Sequence, residues 1–177
     1  MKAKINQAGL AQLSVLLIED NNHMRILLRT LLKAFGIRDI QECAEGGAAL
    51  ESLQLRMPDF VVVDLAMAPM DGLQFTRAVR SSEDQMLSVL PIIMCTGYTE
   101  RRRVEAARDA GVTEIVAKPV TPAKLFQRIE EIVLRPRSIV RTPTYNGPSR
   151  RRHNSPDYLG PWRRQDDTDR GRETVAL

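Results

Sequence analysis

Histidine and cysteine are scarce in this chain, with two of each among 177 residues. Cys43 and Cys95 both lie inside apolar, strand-like segments. They fit neither a disulfide framework nor a thiolate metal site, so a reducing, cytoplasmic compartment is expected. Long apolar runs are missing too. No stretch approaches the ~20 residues that a membrane-spanning helix needs. The opening MKAKINQAGLAQ lacks the apolar centre of a secretory signal. No membrane insertion is expected. Lysine is absent from residues 136–177, which hold nine arginines against five acids. The first 135 residues hold 17 basic and 17 acidic side chains, so the whole net charge of +4 resides in that last segment.

What the chain does have is alternation. Short apolar runs occur at Ser14–Glu19, Ile40–Ala44, Asp59–Asp64, Pro91–Thr96 and Glu114–Lys118. Helical spacing fills the gaps between and after them. Met24, Leu27, Leu28, Leu31, Leu32 and Phe35 mark the first helix, and Ala48, Ala49, Leu50 and Leu53 the second. Leu73, Phe75, Ala78 and Val79 mark the third. Val104, Ala107, Ala110 and Val112 mark the fourth, and Leu125, Ile129, Ile132 and Val133 the fifth. Five strands alternating with five helices predict an α/β domain around a parallel sheet. The continuous apolar strands fit a sheet covered on both faces. Residues 1–12 read as an N-terminal extension, 13–135 as the domain, and 136–177 as a Pro-, Gly- and Arg-rich tail without periodicity, expected to be disordered.

Open α/β sheets bind ligands outside the carboxyl ends of their strands. The residues expected at that edge are Glu19 and Asp20 after the first strand, Asp64 after the third, Thr96 after the fourth and Lys118 after the fifth. Two like unit charges ~4 Å apart cost on the order of 4 kcal/mol at an effective dielectric of 20. One lysine cannot balance three such acids. A hard divalent cation can, and oxygen ligands without histidine or cysteine point to Mg²⁺. With a metal in place, a carboxylate on a rigid strand can attack phosphorus and form an aspartyl phosphate. Asp64, on the strand expected at the centre, is the candidate acceptor. Lys118 and the Thr96 hydroxyl are placed to stabilise the phosphoryl oxygens. A lone Asp at a strand end is usually a cap or turn residue; five such residues at four strand ends are not so explained.

Together, Glu19-Asp20, Asp64 with Met67, Met70, Asp71 and Gly72, Thr96-Gly97 and Lys118-Pro119 resemble the receiver domain of two-component response regulators. The resemblance covers about residues 13–134. It implies a flavodoxin-like, doubly wound sheet in the order 2-1-3-4-5 with five helices. It implies that Asp64 accepts a phosphoryl group from a sensor histidine kinase or a histidine phosphotransfer protein. It further implies that Glu19, Asp20, Asp64 and the backbone carbonyl of Ala66 hold Mg²⁺, and that the Lys118–Pro119 peptide is cis. Three features depart from the usual pattern. Ala68 precedes Pro69 where the proline often follows the methionine directly. Glu19 stands where Asp is common. Ile115 occupies a position that is often aromatic, and Tyr98, two residues after Thr96, is a candidate gate for the site.

The tail contains one phrase twice, Tyr145–Arg151 (YNGPSRR) and Tyr158–Arg164 (YLGPWRR), 13 residues apart. Its Gly-Pro pairs are expected to bend the chain. Tyr145, Arg150, Arg151, Tyr158, Trp162, Arg163 and Arg164 are the candidate contacts for an acidic surface, either on an unknown downstream protein or on the chain's own acidic edge. No helix-turn-helix fits between its prolines. Three functions remain: a stand-alone phosphorylation switch that signals by protein contact without being an enzyme, a Mg²⁺-dependent phosphohydrolase, and a nucleic-acid-binding regulator. Ala66, two residues after Asp64, disfavours the hydrolase, and the five acids in the tail disfavour nucleic acid.

Overall fold

A computed structural model describes residues 7–97 and 101–149. Strands β1 (Ser14–Ile18), β2 (Asp39–Cys43), β3 (Phe60–Asp64), β4 (Ile92–Thr96) and β5 (Glu114–Ala117) form one parallel sheet in the order β2-β1-β3-β4-β5. Five longer helices surround it: α2 (Asn22–Phe35), α3 (Gly46–Leu55), α4 (Gly72–Arg80), α6 (Arg101–Asp109) and α7 (Pro122–Leu134). Two four-residue helices, α1 (Gln7–Leu10) and α5 (Gln85–Ser88), were not expected. They are too short to show a helical period.

The apolar runs of the strands are explained by two cores, one on each face. Side chains alternate across a strand. Leu16, Ile18, Val61, Val63, Ile92 and Met94 therefore pack with Ala49, Leu53, Phe75, Val79 and Ala107 from α3, α4 and α6. Val15, Leu17, Phe60, Val62, Ile93, Cys95 and Val116 pack on the other face with Leu28 and Leu32 of α2 and Leu125 and Ile129 of α7. Leu10 of α1 is fully buried in this second core, so the folded unit starts before Leu13 and residues 1–12 are not wholly an extension.

Local signals set the helix ends. Asn21 caps α2 by accepting from the Met24 amide at 3.1 Å, and Gly36, at φ 107°, closes it in the left-handed region that glycine tolerates. Asp71 and Gln74 form a reciprocal capping box at the start of α4. Thr121 caps α7, with Pro122 in its first turn, where no amide is needed.

The expectation of disorder after Pro136 fails for a described segment. Strands β6 (Ile139–Thr142) and β7 (Tyr145–Pro148) pair antiparallel as a hairpin turned at Pro143-Thr144. The bend expected at Gly147-Pro148 is instead part of β7. The hairpin is held by long-range contacts that composition does not display: Asn146 Nδ2 donates to the Arg80 carbonyl at 2.6 Å, and Arg141 Nη2 donates to Ser88 Oγ at 2.8 Å. Among the described residues no helix is long and apolar enough to cross a membrane.

Candidate functional site

All five strands of the main sheet run the same way, so their carboxyl ends share one edge. β1 delivers Glu19 and Asp20 there, and central β3 delivers Asp64. One carboxylate oxygen from each of the three lies within 4.8 Å of the others. Glu19 and Asp64 are buried and Asp20 is exposed. Further contacts hold this edge in place. The Glu19 amide donates to the Cys43 carbonyl at 3.2 Å, tying it to the end of β2. Arg25 Nη1 donates to the Glu19 carbonyl at 2.7 Å, and the Asn21 amide donates to Glu19 Oε1 at 3.3 Å. Gly72 closes the loop that follows Asp64. Its amide donates to Leu65 O at 3.0 Å, and a Cβ at that position would fall 2.3 Å from Asp64 O. The Asp71-Gly72 pair thus caps a helix with its first residue and permits a close backbone approach with its second.

Lys118 crosses to this cluster from the end of β5. Its Nζ lies 2.9 Å from Asp64 Oδ1 and 3.1 Å from Glu19 Oε2. Its amide donates to Thr96 O at 2.7 Å, registering the ends of β4 and β5. The Lys118–Pro119 peptide is cis, as the resemblance implied, and Ala68–Pro69 in the loop after β3 is cis as well. Burial would lower the Lys118 amine, but the facing Asp64 and Glu19 carboxylates outweigh it and hold the amine above 10.5. Burial and then the Asp64 charge push the Glu19 carboxyl above 4.5, against the opposing pull of Lys118. Burial raises the thiol of Cys95, beneath the site, to about 12, which leaves it protonated and inert at neutral pH.

Thr96 is buried at the end of β4, one residue beyond the Asp64–Cys95 register pair. Ala66 is exposed in the loop after β3. Ile115 is half-buried and packs against the first core. Tyr98 lies outside the described residues, as do Arg150, Arg151, Tyr158, Trp162, Arg163 and Arg164. Tyr145 is described, but not at this edge: its hydroxyl donates to the Pro148 carbonyl inside the hairpin. Two features escaped the sequence reading. One is Arg25, which donates to the Glu19 carbonyl and to Asn22 Oδ1 and pairs with Glu42 of β2 at 3.7 Å. The other is an open pocket of about 250 Å³ beside Lys118, lined by Asn21, His23, Met24 and Leu27. Met24 and Leu27 belong to the apolar spacing that marked α2, yet Leu27 is 45% exposed.

Acidic oxygens, a crossing lysine and a buried hydroxyl at the carboxyl edge of a 2-1-3-4-5 sheet match one family profile. The response regulator receiver domain profile spans residues 15–130. The chain belongs to this receiver family. It is similar to the chemotaxis protein CheY-3 of Vibrio cholerae serotype O1, with 32% identity over 132 residues covering 75% of this chain and 97% of that protein. It is also similar to the chemotaxis protein CheY of Pseudomonas aeruginosa, with 35% identity over 120 residues covering 68% of this chain and 95% of that one. Among solved structures, a putative response regulator from Chloroflexus aurantiacus matches with a TM-score of 0.65 at 26% identity, over 70% of this chain and 98% of that chain. The receiver domain of the sensor histidine kinase PA1611 of Pseudomonas aeruginosa matches with a TM-score of 0.60 at 29% identity, over 67% and 94% respectively; its structure has a magnesium ion coordinated in the active-site cleft. This receiver is a phosphorylation-dependent switch of two-component signalling. Receivers of this kind work with histidine kinases or phosphotransfer proteins.

Proposed function

We propose that this receiver takes a phosphoryl group onto Asp64 from a phosphohistidine of a sensor kinase or phosphotransfer protein, with Mg²⁺ held at Glu19, Asp20 and Asp64, and passes the signal on by protein contact in the cytoplasm. The observation that carries this reading is the position of Asp64: buried on the central strand, within 4.8 Å of two other carboxylates, and 2.9 Å from Lys118 Nζ. A nucleophile needs a fixed geometry, and β3, buried along its whole length, supplies it.

The donor set fits a hard cation. Three carboxylates from two adjacent strands converge with one lysine against two of them, and burial together with the Asp64 charge raises the Glu19 carboxyl above its usual range. The exposed Ala66 loop places a backbone carbonyl within the same segment as Asp64. When bound, Mg²⁺ would supply the charge that lets a carboxylate and a phosphoryl group approach.

The chain's own groups do the rest. An Asp64 oxygen forms the new O–P bond while the P–N bond to the donor imidazole breaks, and the imidazole keeps the electron pair and takes a proton. Lys118, already against Asp64, stays cationic and pairs with a phosphoryl oxygen. The Thr96 hydroxyl, one residue past the register partner of Asp64, donates to another. No acid or base stands two residues after Asp64, where Ala66 is found, so the acyl phosphate is left to persist as a signal. Intact-mass measurement after acetyl phosphate and Mg²⁺ tests the reading: one added phosphoryl group in the wild type and none in Asp64→Asn supports it, and equal labelling of the two overturns it.

A further inference from the structure

Glu19 and Asp20 are consecutive residues at the end of β1, so a single peptide plane joins two of the three clustered acids. The atoms from one Cα to the next are coplanar. Fixing that plane therefore fixes where Asp20, which is exposed, leaves the strand. Glu19 is held through both of its backbone groups. Its amide donates to the Cys43 carbonyl of β2 at 3.2 Å. Its carbonyl, which lies in the plane shared with Asp20, accepts from Arg25 Nη1 at 2.7 Å.

The guanidinium that makes this bond is itself held on its other sides. Arg25 sits near the start of α2, where its amide donates to the Asn21 carbonyl at 2.9 Å. Its Nη2 donates to Asn22 Oδ1 at 3.1 Å, and its Nε faces Glu42 Oε2 of β2 at 3.7 Å. A rigid planar fork with three separate partners is restricted to one orientation. The end of β1, strand β2 and helix α2 thus meet at one side chain. Its charge is answered nearby, because Glu42 faces Arg25 and also accepts from Arg29 Nη1 at 3.1 Å.

A cation beside an acidic edge can act in two ways on Mg²⁺ binding. Its charge opposes the metal, or its hydrogen bonds orient the ligands and favour the metal. Lys118 contacts the carboxylate oxygens of Asp64 and Glu19 and is placed for the first. Arg25 meets Glu19 at the backbone carbonyl and is placed for the second.

We propose that Arg25 is a positioning residue for Mg²⁺ binding: its guanidinium locks the Glu19–Asp20 peptide so that both carboxylates stay convergent with that of Asp64. The inference rests on the proposed function, in which these three acids hold the metal. Partners that orient metal ligands change affinity by roughly 10–100-fold when removed.

Isothermal titration of Mg²⁺ into the full chain tests this with Arg25→Met, which keeps the apolar stem and loses the fork. Mg²⁺ affinity should fall by about ten-fold. Loss of charge alone acts in the opposite direction, since removing a cation near the acids favours the metal. Labelling by acetyl phosphate should need more Mg²⁺ yet reach the wild-type rate once Mg²⁺ is saturating. Arg29→Met, which takes a charge from the same Glu42, should stay within about two-fold of the wild type in affinity. If circular dichroism shows that Arg25→Met does not fold, Asn22→Ala decides. It removes only the acceptor of Nη2 and should weaken Mg²⁺ binding by about three-fold; wild-type affinity there overturns the proposal. Folded Arg25→Met that binds Mg²⁺ as tightly as the wild type, or more tightly, overturns it and leaves the proposed function standing. So does an equal fall in Arg29→Met, or a labelling defect that saturating Mg²⁺ does not correct. A wild type that binds no Mg²⁺ overturns both.

Discussion

Lys118 Nζ bridges Asp64 Oδ1 at 2.9 Å and Glu19 Oε2 at 3.1 Å, joining the end of β5 to the ends of β3 and β1 across the sheet. The lysine balances one of three clustered carboxylate charges. It would compete with a cation bound there for the same oxygens.

Lys118→Ala follows from this competition. We expect Mg²⁺ affinity to be unchanged or tighter, because an opposing charge is lost. Metal-free stability should fall by roughly 1–3 kcal/mol, since two buried carboxylates lose a partner. The change in amide exchange at residues 92–118 on phosphorylation should shrink. Isothermal titration, denaturant melts and exchange mass spectrometry read the three effects; weaker Mg²⁺ binding would contradict the competition.

Metal dependence should be complete. Labelling of the wild type by acetyl phosphate should stop in EDTA and return with Mg²⁺, because Glu19, Asp20 and Asp64 within 4.8 Å repel an incoming phosphoryl group unless neutralised. Undiminished labelling in EDTA would remove the role given to the acidic cluster.

Glu19 gives a pH signature. Its carboxyl is raised above 4.5 by burial and by Asp64, so the folded state holds this proton more tightly than the unfolded chain does. The stabilisation is complete below 4.5 and is lost as pH rises through the raised value. Glu19→Gln keeps the shape without the charge. In metal-free buffer its melting temperature minus that of the wild type should therefore increase from pH 4.5 towards neutrality. A difference that stays flat or falls over this window would contradict the sign.

Gly72→Ala probes the loop behind the acceptor. The added Cβ would sit 2.3 Å from Asp64 O and 3.1 Å from Leu65 Cα, both backbone atoms that cannot swing aside. We expect a loss of about 1–3 kcal/mol in stability and slower phosphoryl labelling with Mg²⁺ binding reduced in parallel. Wild-type labelling in a destabilised variant would separate the packing role from the positioning one.

The sequence alone carried the sheet and its chemistry far. Short apolar runs marked all five strands, and helical spacing marked the five long helices, because each depends on a local period that burial enforces. With a parallel sheet assumed, the residues ending those runs had to share an edge, so Glu19, Asp20, Asp64, Thr96 and Lys118 were legible together. What tertiary structure decided is whatever depends on partners distant in sequence. Lys118 meets Glu19 across 99 positions, and Arg25 meets a backbone carbonyl that carries no side-chain signal. Leu10 joins the core from a four-residue helix with no period to read. The hairpin is the clearest case. Two four-residue strands bury too little by themselves to be stable, and β6–β7 exists because Gly147 fits against Gly111 and Asn146 reaches Arg80, 66 positions away. Composition reads such a segment as disorder, since it records the lack of apolar side chains and not a glycine surface that awaits it.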